Sequence, residues 1–329
     1  MRPINIPMQK FHKILDLVYY LFKFGNSKMA MFLAKHAFPG ERINEIAVKG
    51  GKLLVKKTGQ MFSIDQLKHC QESLGLFLTI ATHPEIKIDN SKDGELTILC
   101  GNTRIKGDTF DNFYVVQELF ADGVYSIHQK NKKVAVVDVG MNVGVASLYF
   151  AGQPQVSKVY AFEPFPETYQ RALNNFQLNP DIKNKIVPHN AGVGGADAEL
   201  EIPLIVGESA VMSTSDFFIQ NMKTDQTKTV KVGITDIKKI LPEVFSNHPN
   251  ESIILKLDCE GAEYDIIEQM HKTGMIKKIS VIVIEWHMKG YQSLNDTLVA
   301  NDFCTTVFPR PNAVMNDTGM IYAVNTRLE

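Results

Sequence analysis

The stretch VAVVDVGMNVG, residues 134–144, decides the fold of this 329-residue chain. An apolar run leads into Asp138, and Gly140 and Gly144 follow it. Such a run is typical of a buried strand in a parallel sheet, and the glycines indicate a tight turn into the next helix. Ligands of open parallel sheets bind beyond the carboxyl ends of the strands, so this turn is the first candidate for a binding site.

Four more short apolar runs follow, and helical patterns lie between most of them. They read KVYAFEP (158–164), KIVPHNAGV (185–193), SIILKLDCEG (252–261) and ISVIVIEWH (279–287). Alternating strands and helices predict an α/β fold, with a parallel sheet covered by helices on both faces. The last two runs, DFCTTVF (302–308) and GMIYAVN (319–325), leave no room for a helix between them. They are therefore predicted to form an antiparallel hairpin added to the sheet.

Two parts of the chain depart from this alternation. Residues 1 to about 125 show helical patterns near 10–24, 27–37 and 63–82, followed by a strand pattern, ELTILCGNTRIK, and a helix pattern, NFYVVQELFADG. We predict a helix-rich N-terminal region of unknown role over residues 1–104, and a second domain over residues 105–329. Residues 194–235 form an insertion in which AELEIPL and TKTVKVGIT are predicted to be two β segments around a Ser/Thr-rich loop that overhangs the ligand.

Composition limits the function classes that this chain can serve. Its 35 basic and 36 acidic residues leave a net charge of -1, which gives no bulk attraction to nucleic acid. The predicted partner is therefore a small molecule. The four cysteines, Cys70, Cys100, Cys259 and Cys304, form no C-x-x-C pair, so neither a disulfide framework nor a zinc site is expected. A reducing, cytoplasmic location fits this cysteine pattern.

The stretch KFHKILDLVYYLFKF, residues 10–24, superficially resembles a signal peptide because Lys10 and Lys13 precede an apolar run. Asp16 interrupts that run, and the run is too short to span a bilayer. We predict no transmembrane segment here, but an amphipathic or buried helix. A helix that lies on a membrane surface is the alternative.

The glycine turn distinguishes two classes of cofactor. A dinucleotide fingerprint, G-x-G-x-x-G, needs a second glycine where this chain has Asn142. Asp138 would repel a pyrophosphate but attract an ammonium or sulfonium group. Glu163 ends the next strand, where such folds place an acid that accepts hydrogen bonds from ribose hydroxyls. The pair favours S-adenosylmethionine over NAD, unless both acids simply end strands beside helix N-termini.

The sequence also resembles the FkbM-type methyltransferases, a branch of the class I S-adenosylmethionine-dependent enzymes. The similar blocks are VVDVGMNVGVASLYF, VYAFEPFPETYQRALNNFQLN, IILKLDCEGAEYDII and VIVIEWH, of which KLDCEGAE is the most specific. The resemblance covers residues 105–325 and implies a Rossmann-like class I methyltransferase sheet, mostly parallel with a C-terminal antiparallel hairpin. It also implies O-methylation of a hydroxyl on a sugar, polyketide or other small molecule or glycan acceptor.

The resemblance further implies which residues hold the cofactor. They are Asp138, Gly140, Asn142, Gly144, Glu163, Pro164, Asn190, Ala191 and Asp258. The first four form the loop on the methionine side, Glu163 takes the ribose, and Asn190 and Ala191 meet the edge of the adenine. Phe165 is expected either to cover the adenine or to belong to the core.

The catalytic candidates are Asp258, Glu285 and His287. Asp258 ends the strand that faces the methyl group in this fold. Glu285 and His287 lie two residues apart and hence on one side of a strand, so the carboxylate can orient the histidine as a base. Glu260 and Glu263 have a simpler explanation, since acids are stabilised near a helix N-terminus. Asp258, Glu260 and Glu285 would offer oxygen ligands to Mg²⁺ if they converged, but no D-x-D pattern supports a metal site, and none is predicted.

Two other functions remain open at the level of the sequence. An NAD-dependent oxidoreductase or epimerase would use a related sheet, and it would bind a nicotinamide cofactor. A non-catalytic module would keep the cofactor pocket while its N-terminal helices bind a protein or a membrane.

Overall fold

The computed structural model describes residues 8–36, 38–72, 74–91, 95–126, 132–205, 227–310 and 318–328. The chain divides into two compact units, Met1–Val124 and Tyr125–Glu329. The predicted boundary after residue 104 falls ahead of this division. The helix that follows residue 104 belongs to the first unit, since Phe113 packs edge-on against Phe77 with ring centroids 6.2 Å apart.

The N-terminal unit combines helices with two small antiparallel sheets. Its α-helices are α1 Met8–Phe24, α2 Ser27–Lys35, α3 Ile64–Leu67, α4 Leu74–Thr82 and α5 Phe110–Val116. One sheet contains β1 Ile46–Lys49, β2 Lys52–Val55 and β3 Met61–Phe62. The other contains β4 Ile86–Asp89, β5 Thr97–Cys100 and β6 Thr103–Lys106.

The helical patterns near 10–24, 27–37 and 63–82 correspond to helices, although the third is divided between α3 and α4. The strands β1 to β4 were not predicted, because segments of two to four residues show too little alternation to stand out. ELTILCGNTRIK was predicted as one strand and is instead a hairpin of β5 and β6. Gly101, with φ 57°, turns the chain between them, as a two-residue hairpin loop requires.

The second unit is built around a seven-stranded sheet. Its strands are β7 Val134–Val139, β8 Val156–Phe162, β9 Ile186–His189, β13 Ser252–Leu257, β14 Val281–His287, β15 Phe303–Arg310 and β16 Thr318–Asn325. They are arranged in the order β15-β16-β14-β13-β7-β8-β9. The strands from β14 to β9 in this order are parallel, and β15 and β16 form the antiparallel hairpin. This confirms the predicted Rossmann-like class I methyltransferase sheet.

Helices cover the sheet because β7 and β13 are buried along their whole length and need apolar partners on both faces. These helices are α6 Val145–Gly152, α7 Pro166–Gln177, α8 Ile237–Asn247, α9 Glu263–Lys272 and α10 Gln292–Ala300. In α9, Ile266, Ile267 and Met270 form the apolar face and join the main core. None of the helices in the described residues is both long enough and apolar enough to cross a membrane.

The insertion after β9 forms a small sheet of its own. It contains β10 Gly192–Gly194, β11 Ala198–Ile205 and β12 Thr227–Asp236, in the order β10-β12-β11. The strands β11 and β12 are the two predicted β segments, and they pair in an antiparallel arrangement. Phe165, Ile202 and Val232 form the core under them, so Phe165 has the core role that was one of its two predicted roles. The predicted overhanging loop between β11 and β12 lies outside the described residues.

Candidate active site

A cavity lies at the carboxyl edge of the sheet, beside the ends of β7 and β13. From β7 the chain continues to β8 and β9 on one side, whereas β13 and β14 lie on the other, so the strand order reverses here. Ligands of open α/β sheets bind at such a reversal. The polar side chains that line the cavity are Asn142, Glu163, Thr168, Asp258 and Glu260.

The two glycines of the turn after β7 serve different purposes. Gly140 lines the cavity with φ 79°, and a Cβ there would lie 1.7 Å from the carbonyl oxygen of Asp258. Only glycine therefore allows the loops after β7 and β13 to touch. Gly144 does not line the cavity, and a Cβ there would lie 2.5 Å from the ring of Phe176. Gly144 thus allows α6 and α7 to pack closely, and its contact with the cofactor stays a prediction.

Asn142 lines the cavity, and its side chain carries an acceptor that has no partner among the described residues. Its backbone has φ 50°, and its N–H donates to Oε2 of Glu163 at 3.1 Å. Its side-chain Oδ1 is buried and finds no hydrogen-bond partner among the described residues. Because a buried polar atom without a partner is costly, this oxygen is suited to a ligand that donates a hydrogen bond.

Glu163, the predicted ribose ligand, lines the same cavity directly after β8. Its two oxygens accept hydrogen bonds from the backbone N–H groups of Asn142 and Phe165, at 3.1 and 3.0 Å. Burial raises the pKa of Glu163 to about 7, although these two N–H groups and the positive charge of Lys256 lower it. A carboxylate has about four acceptor positions, so two remain for hydroxyl groups of a ligand.

Asn190 and Ala191 directly follow β9, but neither of them lines the cavity. The Nδ2 of Asn190 donates to the carbonyl oxygens of Glu163 and Pro164, at 2.9 and 3.2 Å. These two hydrogen bonds hold the loop after β8 in place. An amide side chain suits this position because its NH₂ group can donate both of them. The cavity wall beside this loop is formed by Pro164, Gly192 and Val193.

Lys256 of β13 lies fully buried between the two loops that form the cavity floor. Its Nζ lies 3.1 Å from Oδ1 of Asp138 and 3.5 Å from Oδ2 of Asp258, and it also donates to the carbonyl oxygen of Gly140. Burial alone would lower the pKa of Lys256, but the two carboxylates keep it above its ordinary value. Lys256 is therefore a permanent cation that joins the loops after β7 and β13.

This arrangement revises the predicted role of Asp138. Asp138 is completely buried and does not line the cavity. Its Oδ2 accepts a hydrogen bond from Ser147 Oγ at 2.6 Å, and its charge is balanced by Lys256. A carboxylate whose charge is already neutralised has little attraction left for a sulfonium, so any effect of Asp138 on the cofactor passes through Lys256. Asp258, in contrast, lines the cavity and is about one third exposed.

The loop after β13 is held by Glu263 at the start of α9. Glu263 is fully buried and accepts hydrogen bonds from the backbone N–H groups of Cys259 and Gly261, both at 2.9 Å. Between them, Glu260 has φ 55° and lines the cavity. Burial raises the pKa of Glu260 to about 7, although the neighbouring His287 lowers it.

His287 lies at the end of β14, but its partners differ from the prediction. Its Nδ1 lies 3.3 Å from Oε1 of Glu263, and its Nε2 lies 3.8 Å from Oε2 of Glu260. Glu285, the predicted orienting group, instead forms an ion pair with Arg310 at 3.5 Å. Burial alone would lower the pKa of His287, but the hydrogen bond with Glu263 and the charges of Glu260, Glu263 and Asp258 raise it to about 10. A protonated imidazole is not a base at neutral pH.

The three carboxylates considered as Mg²⁺ ligands do not converge, because Glu285 pairs with Arg310 while Asp258 and Glu260 line the cavity. Within the described ranges, no group of three or more histidine, cysteine or acidic side chains is arranged to hold a metal ion.

Backbone strain is concentrated at this edge of the sheet. Asn142, Glu260 and Met288 have φ values of 50°, 55° and 73°, and they follow β7, β13 and β14. Such conformations are unfavourable for residues other than glycine, and they persist where the surrounding structure enforces them, often at active sites.

The family comparison agrees with this geometry. The family model described as the methyltransferase FkbM domain matches residues 138–304, about half of the chain. The chain belongs to the FkbM methyltransferase domain family. Its relatives include Methyltransferase 1 of Beauveria bassiana, 27% identical over 231 residues, which are 65% of this chain and 89% of that protein.

Two further relatives of this FkbM methyltransferase are more distant. The hexuronic acid methyltransferase AglP of Haloferax volcanii is 22% identical over 151 residues, which are 46% of this chain and 54% of AglP. The crystal structure of Methyltransferase FkbM from Methylobacillus flagellatus KT has 16% identity and a TM-score of 0.39. That match covers 60% of this chain and 45% of the solved chain, so this chain spans less than half of it.

Three residues of this FkbM methyltransferase site were not predicted to act there: Lys256, Glu260 and Glu263. Lys256 did carry a usable signal, since it is the charged residue inside the apolar run SIILKL. A lysine in a strand that is buried on both faces needs carboxylate partners. Two acids are available at the carboxyl ends of neighbouring strands, Asp138 on β7 and Asp258 after β13. Glu263 is near a helix N-terminus, as its simpler explanation states, but the hydrogen bonds that it accepts come from the loop before the helix.

Proposed function

We propose that this chain is an S-adenosylmethionine-dependent O-methyltransferase that acts on a hydroxyl group of a sugar, polyketide or other small molecule. The observation that carries the proposal is the cavity at the reversal of strand order. It is lined by Glu163 and by Asn142, whose Oδ1 has no hydrogen-bond partner among the described residues. Membership of the FkbM family supports methyl transfer. A relative named as a hexuronic acid methyltransferase supports a sugar acceptor.

The residues of the cavity suit this cofactor, whose bound form would supply a methyl group activated by a sulfonium. Glu163 has acceptor positions for both ribose hydroxyls, and Asn142 Oδ1 can accept a hydrogen bond from the ammonium group. Pro164, Phe165 and Val193 offer apolar surface for the adenine ring. Asp138 and Lys256 act as positioning residues, because they fix the loop that carries Gly140 and Asn142.

We propose that Glu260, rather than the predicted base His287, takes the proton from the hydroxyl group of the acceptor. Glu260 lines the cavity, and a pKa of about 7 lets its carboxylate accept a proton near neutral pH. His287, with a pKa of about 10, already holds a proton there. Its positive charge, 3.8 Å from Glu260, keeps part of the Glu260 population ionised. Asp258 remains a second candidate, since it lines the cavity beside Glu260.

The acceptor has a suitable site next to the cofactor cavity. An open groove lies between α9 and the strands β10 and β11. Val193 lines both the groove and the cavity, and His287, which approaches Glu260, also lines the groove. The groove therefore leads an acceptor toward Glu260. Charged side chains such as Asp265 and Lys289 along the groove offer hydrogen bonds to a hydroxylated molecule.

Thermal stability in the presence of either cofactor tests the proposal against its rivals. S-adenosylhomocysteine should raise the melting temperature of the full chain, and NAD should not, because only a bound ligand stabilises the folded state. Glu163→Ala should abolish most of this shift, whereas Glu243→Ala, an exposed acid on α8, should retain it. Stabilisation by NAD alone would support the oxidoreductase. Binding of S-adenosylhomocysteine without methyl transfer to any member of a panel of sugars and polyketides would support the non-catalytic module.

A further inference from the structure

Helix α1 has two apolar faces, and the protein covers only one of them. On the covered face, Tyr20 is buried and its hydroxyl donates to the carbonyl oxygen of Phe38 at 2.9 Å. The other face consists of Leu15, Val18, Tyr19 and Phe22, which are spaced as neighbours on a helix. These four side chains are exposed, and Phe22 is 88% exposed.

Exposed apolar surface is concentrated in this part of the molecule. Among the described residues, twelve large hydrophobic side chains are exposed, and six of them lie between Leu15 and Met31. Single exposed apolar residues are normal on a protein surface, but a contiguous stripe indicates an interaction site. We call Leu15, Val18, Tyr19 and Phe22 the α1 stripe.

The same segment is strongly basic. Residues 1–36 contain six basic residues, Arg2, Lys10, Lys13, Lys23, Lys28 and Lys35, and a single acid, Asp16. Their net charge of +5 leaves -6 for the rest of the chain, whose total is -1. On α2, Lys28, Met31 and Lys35 are exposed and share one face of the helix, so an apolar side chain lies between two positive charges.

We propose that α1 and α2 bind the protein to an anionic lipid surface, with the α1 stripe entering the boundary between headgroups and acyl chains. Helices with an apolar face, aromatic residues and flanking lysines lie in this interface, and anionic lipids attract their basic residues. The helix is not long enough to span the bilayer, so it lies on the surface.

A second copy of this chain would fit the α1 stripe less well. An interface formed by two copies would bring together two segments that each carry a charge of +5. Like charges at an interface oppose association, whereas the negative potential of an anionic leaflet favours it. The positive charge of residues 1–36 therefore favours binding to an anionic lipid surface over association of two copies of the chain.

Sedimentation of the full-length protein with vesicles tests this proposal. The protein should pellet with phosphatidylcholine vesicles that contain about 30% phosphatidylglycerol, and pure phosphatidylcholine should bind much less of it. Phe22→Glu should lower the bound fraction at least about fivefold, because it places a charge in the apolar boundary. The double variant Lys28→Glu/Lys35→Glu should lower the bound fraction as well, and added salt should weaken the binding of the wild type.

The matched control is Val299→Glu, which changes an α10 side chain that is 54% exposed. This variant should bind the vesicles as the wild type does.

Three results would overturn the proposal. The wild-type protein could stay in the supernatant with the anionic vesicles, or Phe22→Glu and the double lysine variant could bind as the wild type does. Alternatively, light scattering without lipid could show a dimer that Phe22→Glu converts to a monomer, which would make the α1 stripe a contact between copies. Circular dichroism melting curves of each variant establish that a loss of binding is not a loss of folding.

Discussion

A buried titratable side chain lies at the carboxyl end of β8 and another at that of β14, Glu163 and His287, and their surroundings are opposite in kind. Glu163 is surrounded by backbone N–H donors, which leave acceptor positions free for a ligand. His287 is surrounded by Glu260 and Glu263, whose charges keep its proton in place. Both side chains are buried at the same edge of the sheet. Whether each can act on a ligand is therefore decided by its partners, which are N–H donors for Glu163 and carboxylates for His287.

The largest expected effect concerns Lys256, which is held by opposite charges even more completely than His287. Lys256→Met should lower the free energy of unfolding by about 3–5 kcal/mol, because Asp138 would be left buried without a counter-charge. Urea denaturation measures this loss. The control is Lys231→Met at the exposed ion pair with Glu201, where the free energy of unfolding should change very little because solvent screens both charges. A loss of the same small size at both lysines would show that the buried ion pair does not hold the cavity together.

Glu260→Gln removes the proposed proton acceptor while keeping its shape. We expect kcat to fall by about a hundredfold, with little change in the affinity for S-adenosylhomocysteine. In the wild type, kcat at saturating cofactor should fall as the pH drops below about 7, because a protonated Glu260 cannot accept a further proton. In the variant this pH dependence should disappear. An unchanged pH profile in the variant would move the role to Asp258 or to no residue.

Glu163→Ala should weaken the binding of S-adenosylhomocysteine by about ten- to a hundredfold, because a charge-assisted hydrogen bond contributes roughly 1.5–3 kcal/mol. Wild-type affinity should also decrease below about pH 7, where Glu163 takes up a proton and loses acceptor positions. Isothermal titration calorimetry over a range of pH values measures both effects. Equal affinity for the variant and the wild type would mean that this carboxylate does not contact the ligand.

His287→Gln should have the smallest effect on methyl transfer, with kcat changed by less than about tenfold, since the histidine is not the base in this account. Its effect on stability depends on pH. The pKa of His287 is raised from 6.5 to about 10 on folding, so its stabilising contribution is complete below about 6.5 and is lost as the pH rises toward 10. The variant should therefore lose more stability at about pH 6 than at about pH 9.5 in urea denaturation. A loss that grows with pH, or a collapse of kcat, would return the base role to His287.

The sheet could be predicted from the sequence because its strands are apolar runs that end at acids or glycines. Glu163 could be predicted for the same reason, since its place at the end of β8 is a property of one short stretch. The strands β1 to β4 could not, because each is at most four residues long and gains its partners only through tertiary pairing.

The sequence did not show which residues pair with Asp138 and His287, for a different physical reason. Spacing along a strand shows that Glu285 and His287 share a side, but not that Glu263 reaches across from the start of α9. In the same way, Asp138 meets Lys256 because β7 and β13 are neighbours, and those residues are far apart in the chain. Contacts between strands depend on strand order and register, which local patterns do not contain.

The central claim is that Glu163 binds the ribose hydroxyls of the cofactor in the cavity at the reversal of strand order. The most direct measurement is calorimetric titration of the wild type and Glu163→Ala with S-adenosylhomocysteine and with its analogue that lacks both ribose hydroxyls. The account predicts that the wild type prefers the complete ligand by about tenfold or more, and that the variant binds the two ligands with equal affinity. A variant that keeps the full preference for the hydroxylated ligand would contradict it.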